Sequence, residues 1–180
     1  DSVATSGVRL TSLLVVMPRI ILAEINTHRK LSRGSASSRA IPVERRIAAV
    51  VEDPFVPDAF AKNQRGMSAG EELDVDAAEA ARQIWLDARN DAARHAGRLA
   101  ALGVHKQWAN RLIEPFGWHP AVISATDVDN LFHLRISAAA MPEARRTIEA
   151  VHRAMGESVP TPLAVGEWHL PWIREEDREE

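Results

Sequence analysis

Val8-Arg9-Leu10-Thr11-Ser12-Leu13-Leu14-Val15-Val16-Met17, closed by Pro18, is the stretch on which the reading of the fold turns. Its β-branched and apolar content predicts a strand. Pro18 ends that strand and suits the first turn of a helix. Ile20, Ile21, Glu24, Ile25 and His28 then fall at helical spacing, which predicts a helix over residues 19–31. The C-terminus of this helix delivers His28 and Arg29 to Thr27-His28-Arg29-Lys30-Leu31-Ser32-Arg33-Gly34-Ser35-Ala36-Ser37-Ser38-Arg39. Serine hydroxyls donate to phosphate oxygens, and arginines add forked donors of fixed charge. Gly34 is read as a place where the backbone turns or closely approaches a ligand. The chemistry suits an anion, most simply a phosphate. The alternative is a solvated basic loop, and composition alone does not separate the two.

The rest of the chain sets bounds on this site. The 180 residues, 46% of them hydrophobic, predict one domain. The net charge of -3 gives no general attraction to nucleic acid or membranes. Charge is nevertheless local. Between positions 19 and 46 lie Arg19, Arg29, Lys30, Arg33, Arg39, Arg45 and Arg46, against only Glu24 and Glu44. There is no cysteine, so disulfides, thiolate metal sites and cysteine nucleophiles are excluded. No apolar run approaches the ~20 residues of a membrane helix. The histidines are scattered without H-E-x-x-H, and neither a P-loop nor G-x-G-x-x-G occurs. No metal site is expected.

Residues 1–7 read as a small, flexible terminus. Pro42 opens a short helix over residues 43–51, and residues 53–69 read as irregular. Residues 74–102 give the clearest helix, with Ala77, Ala81, Ile84, Ala88, Ala92, His95, Leu99 and Leu102 along one line. Asp74 is its expected cap and Gly103 its stop. A second helix is expected over 105–114, a short strand over 121–125, and helices over 127–136 and from Pro142 to near Gly156. Trp85, Trp108 and Trp118 are core candidates. Trp168 and Trp172 lie in an irregular tail suited to covering an interface, and residues 174–180 form a charged end. The expected class is α+β: a small mixed sheet with several helices, in one domain over residues 8–173.

At this point the motifs resemble a known family. The flavin-dependent thymidylate synthases carry R-H-R-x-x-S-x-N-x-x-S-x-R. His28, Arg29, Ser32, Ser37 and Arg39 occupy five of its seven specified places, with Thr27 and Gly34 in the others. Asn130-Leu131-Phe132-His133-Leu134-Arg135, followed by Ala140-Met141-Pro142-Glu143-Ala144, is similar to the family's N-x-x-x-L-R … A-Q-x-E-I. Residues 107–115 resemble the helix that brings a further phosphate-side arginine, here Arg111. Residues 37–42, 62–67 and 166–171 resemble S-S-R-A-I-P, K-N-Q-x-G-M and G-E-W-H-L-P of a phage- and actinobacterial-type branch that writes T-H-R for R-H-R. The family's early S-P-F-E-H segment is absent.

The resemblance implies reductive methylation of dUMP to dTMP without a cysteine nucleophile. FAD, NADPH and methylenetetrahydrofolate would be the cofactors, in a cytoplasmic homo-oligomer, a tetramer in the family. It implies that Ser37, Arg39, Arg111 and Arg135 hold the nucleotide, with Arg135 also activating the ring. His28, Arg29 and Asn130 would face FAD. Glu24 stands where a Gln near the pyrimidine is usual. Two rival expectations are a paralogue that binds flavin or a pyrimidine nucleotide without catalysis, and a nucleic-acid-binding helical domain. The second ranks last, because the basic patch mixes serines and glycine and the remaining surface is acidic.

Overall fold

The computed structural model describes residues 1–66, 68–173 and 175–178. It shows an α+β fold: a five-stranded sheet with helices on one face and a helical layer beyond its end. The strands are β1 (Ser2–Ala4), β2 (Arg9–Pro18), β3 (Ser32–Ser35), β4 (Trp118–Ala125) and β5 (Thr161–Leu163), in the order β3-β4-β2-β1-β5. All pairings are antiparallel except β1 with β5. The helices are α1 (Leu22–Asn26), α2 (Val43–Glu52), α3 (Val75–Ala101), α4 (Lys106–Ala109), α5 (Asp129–Arg135) and α6 (Pro142–Glu157).

The centre is β2 against β4, in register from Thr11↔Ala125 to Pro18↔Trp118. Alternation along these strands sends Val15, Met17, Ala121, Ile123 and Ala125 to one side. There they meet Ile21, Ile25, Leu131, Ala144, Ile148 and Val151 in the main core. A second core joins Val43 and Val50 of α2 to Ala93 and Ala96 of α3, with Ala109, Ile113 and Phe116. Pro120 lies just past the end of β3, so one side of β4 has no partner strand there, and a strand tolerates proline in that position. The strand therefore begins at Trp118, three residues before the expected start.

Several sequence expectations need correction. The polar N-terminus is not free of the fold: Ser2–Ala4 pairs with both β2 and β5. The expected helix over 19–31 is a 3-10 turn, Arg19–Ile21, followed by the five-residue α1. The Ser/Arg stretch is not all loop, because Ser32–Ser35 is the edge strand β3. Gly34 lies within it with open space where a Cβ would stand, so no turn or close contact requires glycine there. The expected helix over 105–114 is α4 and two 3-10 turns, Asn110–Leu112 and Glu114–Phe116.

α3 has the expected cap, with Asp74 accepting from the Ala77 amide at 2.9 Å, and the expected stop, Gly103 at φ 77°. Its buried line is shifted, however. Trp85, Arg89, Ala93 and Ala96 face inward, while Ile84, Ala88, His95 and Leu102 are exposed. Two polar contacts fix that rotation. Trp85 Nε1 donates to the Phe55 carbonyl at 2.9 Å, and Arg89 donates to the Val50 and Val51 carbonyls that end α2. Trp85 stacks edge-on with Phe55 and Phe116, as a core residue. Trp108 is 60% exposed and is not core, and Trp118 is at the margin. Met67 and Arg174, Glu179 and Glu180, parts of the matched segment and of the charged tail, lie outside the described residues.

Candidate functional site

The functional candidates fall into two polar neighbourhoods linked by β3. The first lies where the end of α1 meets the end of α5. Arg135, the last residue of α5, turns inward. Its Nε donates to His28 Nε2 at 3.0 Å, Nη1 to Glu24 Oε2 at 2.7 Å and Nη2 to Thr27 Oγ1 at 3.4 Å. One planar guanidinium thus spans three partners, an arrangement a lysine cannot reproduce. Thr27 Oγ1 donates in turn to the Glu24 carbonyl at 2.7 Å. Arg33 of β3 donates to the Ile25 and His28 carbonyls at 2.9 and 3.0 Å and so closes the C-terminus of α1.

His28 is buried, and burial, followed by the charges of Arg135 and Arg33, lowers its pKa. The ring is therefore neutral, as an acceptor at Nε2 must be, and its proton sits on Nδ1. His28 stands behind Arg135. Arg29 and Asn130 are exposed and make no side-chain hydrogen bond or ion pair among the described residues. Asp127, two residues before α5, pairs with Lys30 rather than with Arg135.

The second neighbourhood is the loop after β3, seated on residues 110–114. Asn110 is 1% exposed and donates to the Ser38 carbonyl at 2.7 Å and the Ile41 carbonyl at 2.9 Å. Ser38 donates its hydroxyl to Glu114. These bonds hold Ser37 and Arg39 outward, with the Arg39 amide donating to Ser37 Oγ at 3.3 Å. Glu114 also pairs with Arg19 at 3.3 Å and approaches Arg111 at 3.9 Å. Arg46 lies in the same field, and burial and Arg19 lower its pKa against the pull of Glu114.

A single carboxylate thus faces Arg19, Arg46 and Arg111, and the buried Arg46 Nε has no acceptor among the described residues. Three cations around one carboxylate leave this neighbourhood with surplus positive charge. His119 lies beneath, 3.3 Å from Arg19 Nη1, and burial together with Arg19 and Arg46 lowers its pKa to about 4. It remains neutral and adds no further repulsion.

Two predictions arise here. Asn110→Ala leaves the Ser38 and Ile41 carbonyls without a donor, and is expected to cost roughly 1–3 kcal/mol of stability; urea unfolding measures it. His119 binds a proton more readily unfolded than folded, so stability is expected to fall as pH drops from about 6.5 to about 4. Thermal melts of wild type and His119→Gln across that range check this, because the variant should lose the part of the slope that His119 contributes.

Of the sequence candidates, the fold brings Glu24, His28 and Arg135 together, and Ser37, Arg39 and Arg111 around one loop. Arg29 and Asn130 stand apart from both networks. Sequence reasoning missed Ser38, Asn110, Glu114, Arg19, Arg46 and His119. Only the positive charge of Arg19 and Arg46 was visible, since the carboxylate they flank comes from a distant segment. A cavity of about 210 Å³ elsewhere is lined by Arg9, Thr11, Asp127 and Met155 among others. No group of three or more metal-ligating side chains occurs among the described residues. Nor, among them, is any helix long and apolar enough to cross a membrane.

The α+β architecture is shared with a solved structure of low sequence identity. A UMP/dUMP methylase, PolB from Streptomyces cacaoi, solved with 5-Br dUMP bound, is similar to this chain with a TM-score of 0.64 at 15% identity. The match covers 82% of this chain and 66% of that one. No protein-family model and no curated protein sequence matches the chain.

Proposed function

We propose that the chain methylates the pyrimidine of dUMP to give dTMP, using FAD, NADPH and methylenetetrahydrofolate. The observation that carries the reading is the surplus of positive charge: Arg19, Arg46 and Arg111 around Glu114, with Arg39 and Ser37 presented on the loop above. A nucleotide phosphate would supply the balancing negative charge. The fold likeness to a UMP/dUMP methylase holding a dUMP analogue supports the same substrate class.

The proposed roles draw on the family resemblance and on position. Ser37, Arg39 and Arg111 bind the phosphate, which fixes the nucleotide. Arg135, held by Glu24, His28 and Thr27, directs its guanidinium at the base and stabilises negative charge on the activated ring. Arg29 and Asn130, exposed and free of partners among the described residues, fit the anionic and polar edges of FAD. When bound, FAD supplies the hydride that completes the methyl group. His28, engaged with Arg135, acts by positioning that arginine. The family resemblance supports a homo-oligomer, a tetramer with flavin between subunits.

One observation favours a second reading. The Glu24–Arg135 ion pair, 2.7 Å long, occupies part of the fork that the base would use. That suits a paralogue that binds flavin or a different pyrimidine nucleotide without making dTMP. Purified protein incubated with dUMP, methylenetetrahydrofolate and NADPH decides between them. Formation of dTMP by a yellow protein supports the enzyme, flavin and nucleotide binding without product supports the paralogue, and a colourless protein that binds no dUMP overturns both.

A further inference from the structure

β2 and β4 pair from Thr11↔Ala125 to Pro18↔Trp118. The neighbourhood of Arg19 and Glu114 adjoins the Pro18 end. At the other end, roughly 23 Å along the strand, the cavity of about 210 Å³ opens between the start of β2, the turn from β4 into α5 and the end of α6. Arg9, Asp127 and Asp129 are its charged walls, and Ala125, Val128 and Met155 its apolar ones. The proposed function uses none of these residues.

Two of the three charged walls are already committed. Arg9 Nε donates to Asp1 at 2.6 Å, and Nη2 donates to the Met155 and Ser158 carbonyls at 2.6 and 3.3 Å. Asp127 pairs with Lys30 and accepts from the Asp129 amide at 3.3 Å. Asp129 is exposed, and its carboxylate makes no hydrogen bond or ion pair among the described residues. It adds to the field at Lys30 without contacting it. The uncommitted charge at the rim is therefore negative. An anion there would meet two carboxylates, while the nearby cations are already paired.

Below the rim lies an orphaned hydroxyl. Thr11 is 5% exposed, and its Oγ1 has no partner among the described residues. Thr11 also lines a second void of about 20 Å³, with Leu13, Leu31, Ile123 and Leu131 among its other walls. Those walls are apolar, so a water there would have one polar neighbour where it needs two to four. The larger cavity has polar walls. A group that satisfies the hydroxyl, reached by a χ1 rotation, would sit there.

We propose that this cavity binds a small primary amine whose apolar body is the size of a single ring. The ammonium faces Asp129, the body covers Ala125, Val128 and Met155, and Thr11 is the hydrogen-bonding group at the floor. A few polar groups that fix orientation within an apolar lining are the usual make-up of a small-molecule site. Met155 adds a flexible, polarisable wall that adapts to the body. The volume sets the size, since it falls below the roughly 300–1,000 Å³ of pockets that enclose drug-sized ligands.

Phenethylamine is the probe, with phenylacetate as an anion of similar shape. Methyl-resolved NMR titration of the intact chain is expected to shift the signals of Thr11, Val128 and Met155, with a phenethylamine dissociation constant of about 1 mM. Phenylacetate is expected to bind about tenfold more weakly, because repulsion replaces attraction at Asp129. Asp129→Asn is expected to weaken phenethylamine about threefold, the loss of one exposed ion pair. Thr11→Val is expected to weaken it as well and to raise the melting temperature, because an unpartnered buried hydroxyl is removed.

Absence of shifts at these methyls overturns the site. Equal binding of the two probes, or unchanged affinity in Asp129→Asn, overturns an amine as its occupant. A melting temperature lowered by Thr11→Val would show the hydroxyl satisfied within the fold and overturn its role. Should Thr11→Val fail to fold, Asp129→Asn at the exposed rim still decides. None of these outcomes depends on dUMP turnover, so failure here leaves the proposed function standing.

Discussion

Arg135→Lys is expected to reduce dTMP formation at least a hundredfold while flavin stays bound. The guanidinium reaches His28, Glu24 and Thr27 from three nitrogens. A lysine ammonium keeps the charge but satisfies one of those directions well, so two charge-assisted bonds of roughly 1.5–3 kcal/mol each are weakened or lost. The consequence is a misplaced cation opposite the ring, where about 1.4 kcal/mol is a tenfold change in rate. Flavin content and NADPH oxidation are read alongside dTMP. Wild-type dTMP formation in the variant would make Arg135 structural, and loss of flavin would place it in the cofactor site.

Arg39→Ala is expected to weaken dUMP binding by about 1.5–3 kcal/mol, the loss of a charge-assisted phosphate contact. The fold should be unaffected, since Arg39 is exposed and its side chain has no partner among the described residues. Calorimetric titration with dUMP, together with an unchanged melting temperature, checks both halves. Unchanged affinity would remove Arg39 from the site. The contrast with Asn110→Ala is informative, because Asn110 supports the same loop from beneath. Its loss should lower stability as well as affinity.

Residues with strong local preferences were legible in advance. The β-branched run before Pro18 is β2 to within a residue at each end. Asp74 and Gly103 bracket α3, and Pro142 opens α6, because caps, left-handed glycines and helix-starting prolines act within one turn of chain. The inward line of α3 was not legible. Alanines lie on every side of that helix, so no stripe dominates until Trp85 and Arg89 find the carbonyls of Phe55, Val50 and Val51. β3 was missed because Ser-Arg-Gly-Ser has little strand propensity, and its pairing with residues 121–124 of β4 makes it a strand.

The site divides in the same way. The sequence by itself determined the chemistry available: a basic, hydroxyl-rich run with His28, Arg29, Ser37 and Arg39, further arginines at 111 and 135, and no cysteine to act as nucleophile. It fixed these because residue type sets charge, donor count and reactivity wherever the chain goes. Only the tertiary structure decided who meets whom. Arg135 joins Glu24 across 111 positions and His28 across 107, and Glu114 joins Ser38 across 76. Such contacts depend on the register of β2 on β4 and the seating of α5 on the sheet, and no local preference along the chain encodes either distance.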